Sequence, residues 1–236
     1  YYLSVNSHKI KTFWGSLKWV LICLPIIGLV IVENLSTANV LCAITGILIF
    51  VISPCSKQLI GLAAGVVGLG TAYLVFGPAY RMERIQIWLD PEHHEKGLQT
   101  MQSLYAIGSG GIFGKGLGQS MQKMGFIPES HNDMIFSIVC EELGLFGAFA
   151  VIAIFLVLIW RMLIIAMNAQ DLFGSLIAIG VAVHVSIQML INVGVVTNLF
   201  PPTGIPLPFI SYGGSSLMVL LLEMGLVLSV SRQIKI

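Results

Sequence analysis

Charged side chains are scarce in this sequence. Only 10% of its 236 residues are Asp, Glu, Lys or Arg, whereas soluble domains carry about 25%. Hydrophobic residues account for 56%, and this composition predicts an integral membrane protein. The formal net charge of +1 shows no excess of cations, so we expect no nucleic-acid partner.

Cysteine motifs and a signal peptide are also lacking. The opening YYLSVNSHKIKTFWG has neither the apolar core nor the small-residue cleavage site of a signal peptide. No resident metal site is predicted, because His131 and Asp133 have too few supporting ligands around them. The cysteines form no C-x-x-C pair and are interpreted as buried thiols that act as small hydrophobic residues. They are Cys23, Cys42, Cys55 and Cys140.

Long apolar runs are abundant, in contrast. A helix needs about 20 mostly apolar residues to cross the hydrocarbon core of a bilayer. Six runs approach or reach that length and predict membrane helices at about 17–32, 35–53, 58–79, 135–160, 172–197 and 209–231. We therefore expect an all-α polytopic membrane protein in which residues 1–236 form a single membrane-embedded domain.

The positions of Lys and Arg predict the orientation, because cytoplasmic loops carry an excess of them. With the N-terminus inside, the inner loops contain one acid, Asp171, against a majority of cations. These cations are Lys9, Lys11, Lys18, Lys57, Arg161, Arg232 and Lys235. Both termini are thus predicted to be cytoplasmic, and residues 80–134 form a large extracytoplasmic loop that folds back onto the helices as a cap.

Residues 108–118, GSGGIFGKGLG, suggest a phosphate-binding loop at first sight. The spacing fits neither the P-loop nor the dinucleotide-binding pattern. Two interpretations stay open: a close-packed surface loop rich in turns, or a set of backbone donors that binds a diphosphate together with Lys115.

Residues 198–216, NLFPPTGIPLPFISYGGSS, combine prolines and glycines without any charge. Irregular backbone near membrane depth must be buried in protein or line a wet cavity. We predict a re-entrant-like loop at 198–210, which is either purely structural or contributes hydrogen bonds to a cavity wall through Ser211, Tyr212 and Ser215.

Polar residues inside the predicted spans are few. His184, Gln188 and Asn192 recur every four residues and share one helix face. They indicate either hydrogen bonding between helices or a polar conduit. Glu223 lies at mid-membrane and needs a partner or water, because an unpaired charge there costs about 2.5–3.5 kcal/mol.

The stretch 127–144, IPESHNDMIFSIVCEELG, begins the fourth predicted helix. Ser130, Asn132 or Asp133 are candidates to cap that helix, a contribution of about 1 kcal/mol. A cap accounts for one acceptor at the helix start. It does not account for the neighbouring Glu129, His131, Glu141 and Glu142.

Several of these stretches resemble one known family. YRMERIQIWLDPE, QSLYAIGSGGIFGKGLG, IPESHNDMIFSIVCEELGLFG and NVGVVTNLFPPTGIPLPFISYGGSS are similar, in this order, to blocks of the SEDS proteins (shape, elongation, division and sporulation), the FtsW/RodA/SpoVE group. The run GLGQSMQKMGFIPE resembles the division and sporulation branch, FtsW and SpoVE, more than the elongation branch. The resemblance covers nearly the whole chain and is weakest before about residue 33.

The resemblance implies a ten-helix fold, of which the six helices here are the C-terminal part. About four N-terminal helices and the family's Gln-Pro-Ser-Glu block are expected to lie outside this sequence. Two departures from the family pattern are Asn132, where many members have Thr, and ENLST at 33–37, which replaces Gln-Pro-Asp-Leu-Gly-Thr.

As for function, the resemblance implies a peptidoglycan glycosyltransferase of the bacterial plasma membrane. It polymerises lipid II into glycan strands on the outer face during cell division or sporulation. The implied partners are lipid II, a class B penicillin-binding protein, other division or elongation proteins, and membrane lipids. Two alternatives stay open, namely a lipid II flippase or transporter and a non-catalytic division scaffold.

In the family's reaction a sugar hydroxyl attacks an anomeric carbon and expels a polyprenyl diphosphate. Asp133 aligns with the family's essential acid and is predicted to be the general base. The leaving diphosphate needs cations, for which the candidates are Arg81, Arg84, Lys115 and Lys123. A divalent cation (Mg or Mn) held by Asp133 or Glu129 is an alternative. The other predicted substrate-binding residues are Glu129, His131, Ser211, Tyr212 and Ser215.

Overall fold

The computed structural model describes residues 1–10, 13–52, 79–94, 97–122 and 131–234, leaving aside the side chains of residues 13 and 79–81. Regular structure in these ranges is helical, without a strand, which confirms the all-α prediction there. The helices are α1 (Tyr2–Val5), α2 (Ser7–Ile10), α3 (Phe13–Glu33), α4 (Leu35–Ile52), α5 (Ala79–Leu89), α6 (Leu98–Gly110), α7 (Ile135–Asn168), α8 (Leu172–Val196) and α9 (Gly214–Gln233).

Helices α3, α4, α7, α8 and α9 are long and apolar enough to cross a membrane. They match five of the six predicted spans, so the multi-pass prediction is confirmed in the described ranges. The predicted helix at 58–79 lies outside those ranges except for residue 79, where α5 begins. The longest helix, α7, extends to Asn168, beyond its predicted end at 160.

Side-chain caps account for two helix starts. Asn34 Oδ1 accepts the N–H of Thr37 at 3.1 Å, so the Asn of the unusual ENLST run caps α4. Asp171 Oδ1 accepts the N–H of Gly174 at 3.2 Å and caps α8 in the same way. Pro25 lies within α3, as membrane helices tolerate.

The chain divides into two compact units. The first contains α1 to α4, α7 from Trp160, α8 up to His184 and α9 from Leu222. Its interior includes an apolar cluster in which Trp19, Val20 and Leu48 pack on buried residues. Those residues are Leu3, Ile10, Ile49, Ile52 and Leu176.

The second unit contains α5, α6, α7 up to Ile159, α8 from Val185, the irregular segment between α8 and α9, and α9 up to Leu221. Helices α5 and α6 lie in the stretch that the sequence predicts as the large extracytoplasmic loop. The candidate site described below belongs entirely to this unit. The prediction that residues 1–236 form one domain stays a prediction.

Helix α7 is interrupted at Gly144, whose φ of 65° and ψ of −163° are not helical. The backbone groups released by this break pair with residues 111–122, here named the glycine-rich segment. The pairs, donor first, are Lys115 to Glu141 (2.9 Å), Gly116 to Glu142 (2.9 Å), Leu145 to Gly111 (3.0 Å) and Phe146 to Ile112 (3.3 Å). These bonds give four N–H and four C=O groups a partner in the middle of an apolar sequence.

Glycine is required where the two backbones meet. A Cβ on Gly114 would lie 2.2 Å from the carbonyl oxygen of Glu142, and one on Gly144 would lie 2.3 Å from the nitrogen of Gly114. Both glycines also have positive φ, which residues with a side chain rarely adopt. The structure thus supports close packing as one reason for the glycines of this stretch.

Candidate active site

A cavity of ≈ 340 Å³ opens in the second unit. Its walls come from α5, the start of α6, the turn before α7 and the irregular segment between α8 and α9. The lining residues are Glu83, Arg84, Ile87, Gln99, Thr100, Asp133, Pro202 and Gly204. Asp133, the predicted base, and Arg84, a predicted diphosphate partner, therefore share one cavity.

Asn192 fixes the main chain at Asp133. Its buried Nδ2 donates to the carbonyl oxygen of Asp133 at 2.7 Å and to that of Ile205 at 2.9 Å. One side chain of α8 thus binds both the turn before α7 and the irregular segment. Both bonds go to irregular segments, so neither is the hydrogen bond between helices that the sequence suggested for Asn192.

Ser211 and Tyr212 bind the same turn. The Ser211 hydroxyl donates to the carbonyl oxygen of Asn132 at 2.6 Å and accepts the N–H of Leu207 at 2.7 Å. The N–H of Tyr212 donates to the carbonyl of His131 at 2.9 Å, and the two rings meet edge to face at 5.4 Å. The structure therefore brings His131, Ser211 and Tyr212 together beside Asp133.

Helix α5 is attached to the irregular segment at two points. Trp88 Nε1 donates to the carbonyl of Asn198 at 3.1 Å, and Arg84 Nη1 donates to that of Pro202 at 3.4 Å. Asn198 has a φ of 58°, a left-handed conformation in which Asn is enriched. These contacts hold Glu83 and Arg84 at the cavity wall.

Glu141 is the acceptor around which the glycine-rich segment is arranged. Its carboxylate is fully buried, and Lys115 Nζ donates to it at 2.7 Å. Further donors to Glu141 are the Ser120 hydroxyl, the Ser109 hydroxyl (3.4 Å) and the N–H groups of Met121 and Gln122 (3.3 Å each). Glu142 accepts the N–H of Gly118 at 2.9 Å and that of Ser120 at 3.3 Å.

The remaining predicted site residues lie away from the cavity or outside the residues that the structure describes. The ammonium of Lys115 is paired with Glu141, and the residue is not in the lining of the cavity above. Ser215 is exposed in the first turn of α9. The side chain of Arg81 and all of Lys123 and Glu129 fall outside the described residues, so their roles stay predictions.

Sequence reasoning missed Glu83, Gln99 and Thr100 in the cavity. Glu83 precedes the predicted Arg84 in an amphipathic helix, and that adjacency was the available signal. Gln99 and Thr100 begin α6 and have no distinctive spacing. Glu141 and Glu142 are adjacent in the sequence, but nothing in their spacing indicates that they bind residues 115–122.

Comparison with known proteins identifies the family of this chain. A family model of the FtsW, RodA and SpoVE proteins, described as cell cycle protein, matches residues 2–236. The chain belongs to this family. The predicted membership is thereby confirmed, and the chain is a multi-pass protein of the plasma membrane.

Individual FtsW and SpoVE proteins are similar to the chain. It is 40% identical over 226 residues to the probable peptidoglycan glycosyltransferase FtsW of Trichlorobacter lovleyi, covering 94% of this chain and 59% of that protein. It is 46% identical over 202 residues to the stage V sporulation protein E of Bacillus subtilis, covering 84% of this chain and 55% of that protein. The chain thus spans less than two thirds of the length of these relatives. Its similarity to FtsW and SpoVE proteins agrees with the branch that the run GLGQSMQKMGFIPE resembles.

Solved structures of the family have the same fold. One match is a chain from a peptidoglycan synthase complex that is described as coordinating polymerization and crosslinking. Its TM-score is 0.77 at 30% identity, and the match covers 94% of this chain and 62% of that one. The rod shape determining protein RodA of Thermus thermophilus matches with a TM-score of 0.62 and 26% identity, over 98% of this chain and 62% of that one.

Proposed function

We propose that this chain is the C-terminal part of a peptidoglycan glycosyltransferase that polymerises lipid II, with Asp133 as the general base. The supporting observation is the cavity of ≈ 340 Å³ that Asp133 shares with Arg84 and Glu83. The reaction class is supported by the name of a relative that is 40% identical.

Asp133 supplies what the attacking sugar needs. As the hydroxyl oxygen bonds to the anomeric carbon, its proton passes to the Asp133 carboxylate and the bond from carbon to the diphosphate oxygen breaks. A positioned base contributes about 10²–10⁴-fold to such a step, or about 3–5 kcal/mol of barrier. This exceeds the value of about 1 kcal/mol for a helix cap.

Arg84 supplies what the leaving group needs. Its guanidinium is permanently charged and presents planar donors that match phosphate oxygens. The bond from Arg84 to Pro202 is long, at 3.4 Å, and is therefore weak. Exchanging it for a charge-assisted bond to the diphosphate favours the products, because the negative charge develops there.

A divalent cation is compatible with the same cavity. Asp133 and Glu83 are hard oxygen ligands, and Mg²⁺ commonly binds through one or two carboxylates together with substrate phosphates. We propose that these two residues, rather than a closed cage of protein ligands, would hold such an ion. Chelation followed by addition of Mg²⁺ or Mn²⁺ tests this, and activity unaffected by chelation would exclude it.

The cavity is proposed to face the outside of the cell. All seven Lys and Arg residues outside 80–134 belong to the predicted inner set, against the single acid Asp171, and this asymmetry supports the orientation. The likeness to a chain of a peptidoglycan synthase complex supports a class B penicillin-binding protein as partner.

The test uses the full-length protein in lipid vesicles with fluorescent lipid II. Asp133→Asn should lower glycan-strand formation by about 10²–10⁴-fold without changing the thermal unfolding temperature. Asn retains the size of Asp and caps a helix about as well, but it does not take up the proton.

Asp171→Asn is the matched control. Asp171 is also an acid at a helix start, where it accepts the N–H of Gly174 at 3.2 Å, and it lies outside the cavity lining. This variant should polymerise normally. Wild-type-like strand formation by the Asp133→Asn variant would contradict the proposal. A loss of thermal stability that matches the loss of activity would favour a capping role for Asp133.

Lipid transport is the second candidate, favoured by one polar pair inside the spans. His184 Nδ1 lies 2.9 Å from Glu223 Oε2, between α8 and α9. Polar pairs of this kind also bind membrane helices to each other. Transport predicts that Glu223→Gln stops lipid II from crossing a vesicle membrane, while strand formation from lipid II supplied at the active face continues. A protein that polymerises without transporting predicts that lipid II crosses the vesicle membrane neither with the wild type nor with the Glu223→Gln variant.

A further inference from the structure

The glycine-rich segment exposes its large apolar side chains, whereas Ser120 is buried and the partly exposed Lys115 is paired with the buried Glu141. Phe113 is 80% exposed and Leu117 77% exposed, and Ile112 and Met121 are exposed as well. A loop bathed in water normally has the opposite arrangement, because contiguous exposed apolar patches mark contact with another apolar phase.

The exposed side chains continue the surface of a membrane helix. The ring of Phe113 stacks on that of Phe146 in α7 at 5.5 Å, and the N–H of Phe146 donates to the carbonyl of Ile112. Leu145, Phe146 and Phe149 are themselves exposed. Residues 112–113 therefore lie at the same level as Leu145 and Phe146.

The burial pattern of α7 indicates where that level lies. Its 34 residues are more than the roughly 20 needed to cross the hydrocarbon core. Phe136, Ile138 and Cys140, in its first part, are buried in protein, and the exposed apolar side chains begin at Leu143. The apolar surface that α7 exposes thus begins at about Leu143, at the level where Phe113 stacks.

The polar groups of the segment meet the conditions for such a position. Backbone at membrane depth must have its N–H and C=O groups paired, and residues 111–116 exchange four bonds with residues 141–146. A charge there must also be paired, and Lys115 binds the buried Glu141 at 2.7 Å.

We propose that the glycine-rich segment is an interfacial membrane loop. Its apolar face, formed by Ile112, Phe113, Leu117 and Met121, inserts among lipid acyl chains where α7 enters the bilayer. The occupant is bilayer lipid, because the face is continuous with the lipid-facing surface of α7 and its one ammonium is neutralised internally. The inference rests on the membrane spans and not on the proposed reaction.

Spin-label accessibility tests the inference. In a cysteine-free, full-length protein, labels are attached to single variants such as Leu117→Cys and Ile112→Cys. The protein is reconstituted in vesicles of phosphatidylethanolamine and phosphatidylglycerol, without substrate or partner. Collisions with oxygen, which concentrates in lipid, are compared with collisions with a water-soluble nickel chelate. The label positions should lie about 5–10 Å below the headgroup boundary, as for interfacial helices.

Two matched controls define the scale. Ile154→Cys, at an exposed position of α7, should report a deeper site, and Glu92→Cys, at an exposed position after α5, should report water. A Leu117 label as accessible to the nickel chelate as the Glu92 label would overturn the inference. Protection of Leu117 only after adding a penicillin-binding protein or lipid II would also overturn it, because the occupant would then be a protein or a polyprenyl chain.

Discussion

Replacing Glu141 by Leu tests how the glycine-rich segment is fixed to α7. The substitution keeps a similar volume and removes every acceptor. The ammonium of Lys115 loses its partner at 2.7 Å, and the Ser120 hydroxyl and the N–H groups of Met121 and Gln122 lose theirs. Each buried group left without a partner costs about 1–3 kcal/mol.

The magnitude follows from burial. Breaking a fully buried ion pair costs about 3–5 kcal/mol, but Lys115 is 32% exposed and turns partly to water, which lowers its share. With the other orphaned donors included, we expect Glu141→Leu to cost about 3–5 kcal/mol in total. At about 2–4 °C per kcal/mol, the thermal unfolding temperature falls by about 6–20 °C.

The assay is thermal unfolding of the full-length protein in detergent. Glu141→Gln keeps one acceptor oxygen and should lose about half as much. Adding Lys115→Met to Glu141→Leu removes the orphaned ammonium and should restore part of the loss, a coupling of about 0.5–3 kcal/mol. Glu92→Gln, at an exposed position, is the control and should change stability by no more than about 0.5 kcal/mol. A Glu141→Leu protein that unfolds within about 2 °C of wild type would refute the reasoning.

Two further predictions concern the backbone of the second unit. Gly114→Ala should lower the unfolding temperature far more than Gly118→Ala. The φ angle is positive at both glycines (77° and 80°), but only a Cβ at Gly114 would meet backbone, 2.2 Å from an oxygen of Glu142. Equal losses would contradict the pairing of the segment with α7. Asn192→Leu removes two bonds, of 2.7 and 2.9 Å, and should cost about 2–4 kcal/mol. Its strand formation per folded molecule, measured with fluorescent lipid II, should also fall, and a normal rate would contradict its positioning of Asp133.

Sequence alone predicts the membrane helices well, because apolar runs of sufficient length determine them. The observed bounds of α4 and α8 differ by one residue at one end from those predicted. The predicted start of α9, at 209, is too early: Phe209 has a φ of 63°, Ser211 and Tyr212 bind the turn before α7, and the helix begins at Gly214. The apolar character of that stretch gave no sign of this.

The candidate site is only partly visible in the sequence. Resemblance to a family predicts a role for Asp133, and charge predicts one for Arg84; both line the cavity. Lys115 was interpreted as a diphosphate partner, whereas in the structure it binds Glu141, 26 residues away. The break at Gly144 was missed for a similar reason, because its hydrogen bonds are made by residues 111–116 and local periodicity carries no information about such distant partners.

The turn that contains Asp133 is held through its main chain. The carbonyl of His131 accepts the N–H of Tyr212, that of Asn132 accepts the Ser211 hydroxyl, and that of Asp133 accepts Asn192 Nδ2. None of these three bonds involves the Asp133 carboxylate. The main chain that carries the base is therefore held by Tyr212, Ser211 and Asn192.

The short helical stretch after that turn is held at its other end by the glycine-rich segment. Residues 135–144 rise by about 14 Å at 1.5 Å per residue. With the segment at the lipid surface, as proposed, this length limits how far the Asp133 carboxylate lies above the bilayer. Asp133→Asn removes the base and leaves its position intact, whereas Asn192→Leu keeps the base and releases its main chain. Loss of activity in the first variant alone would mean that basicity decides the rate, and loss in both would mean that the position set by Asn192 is needed as well.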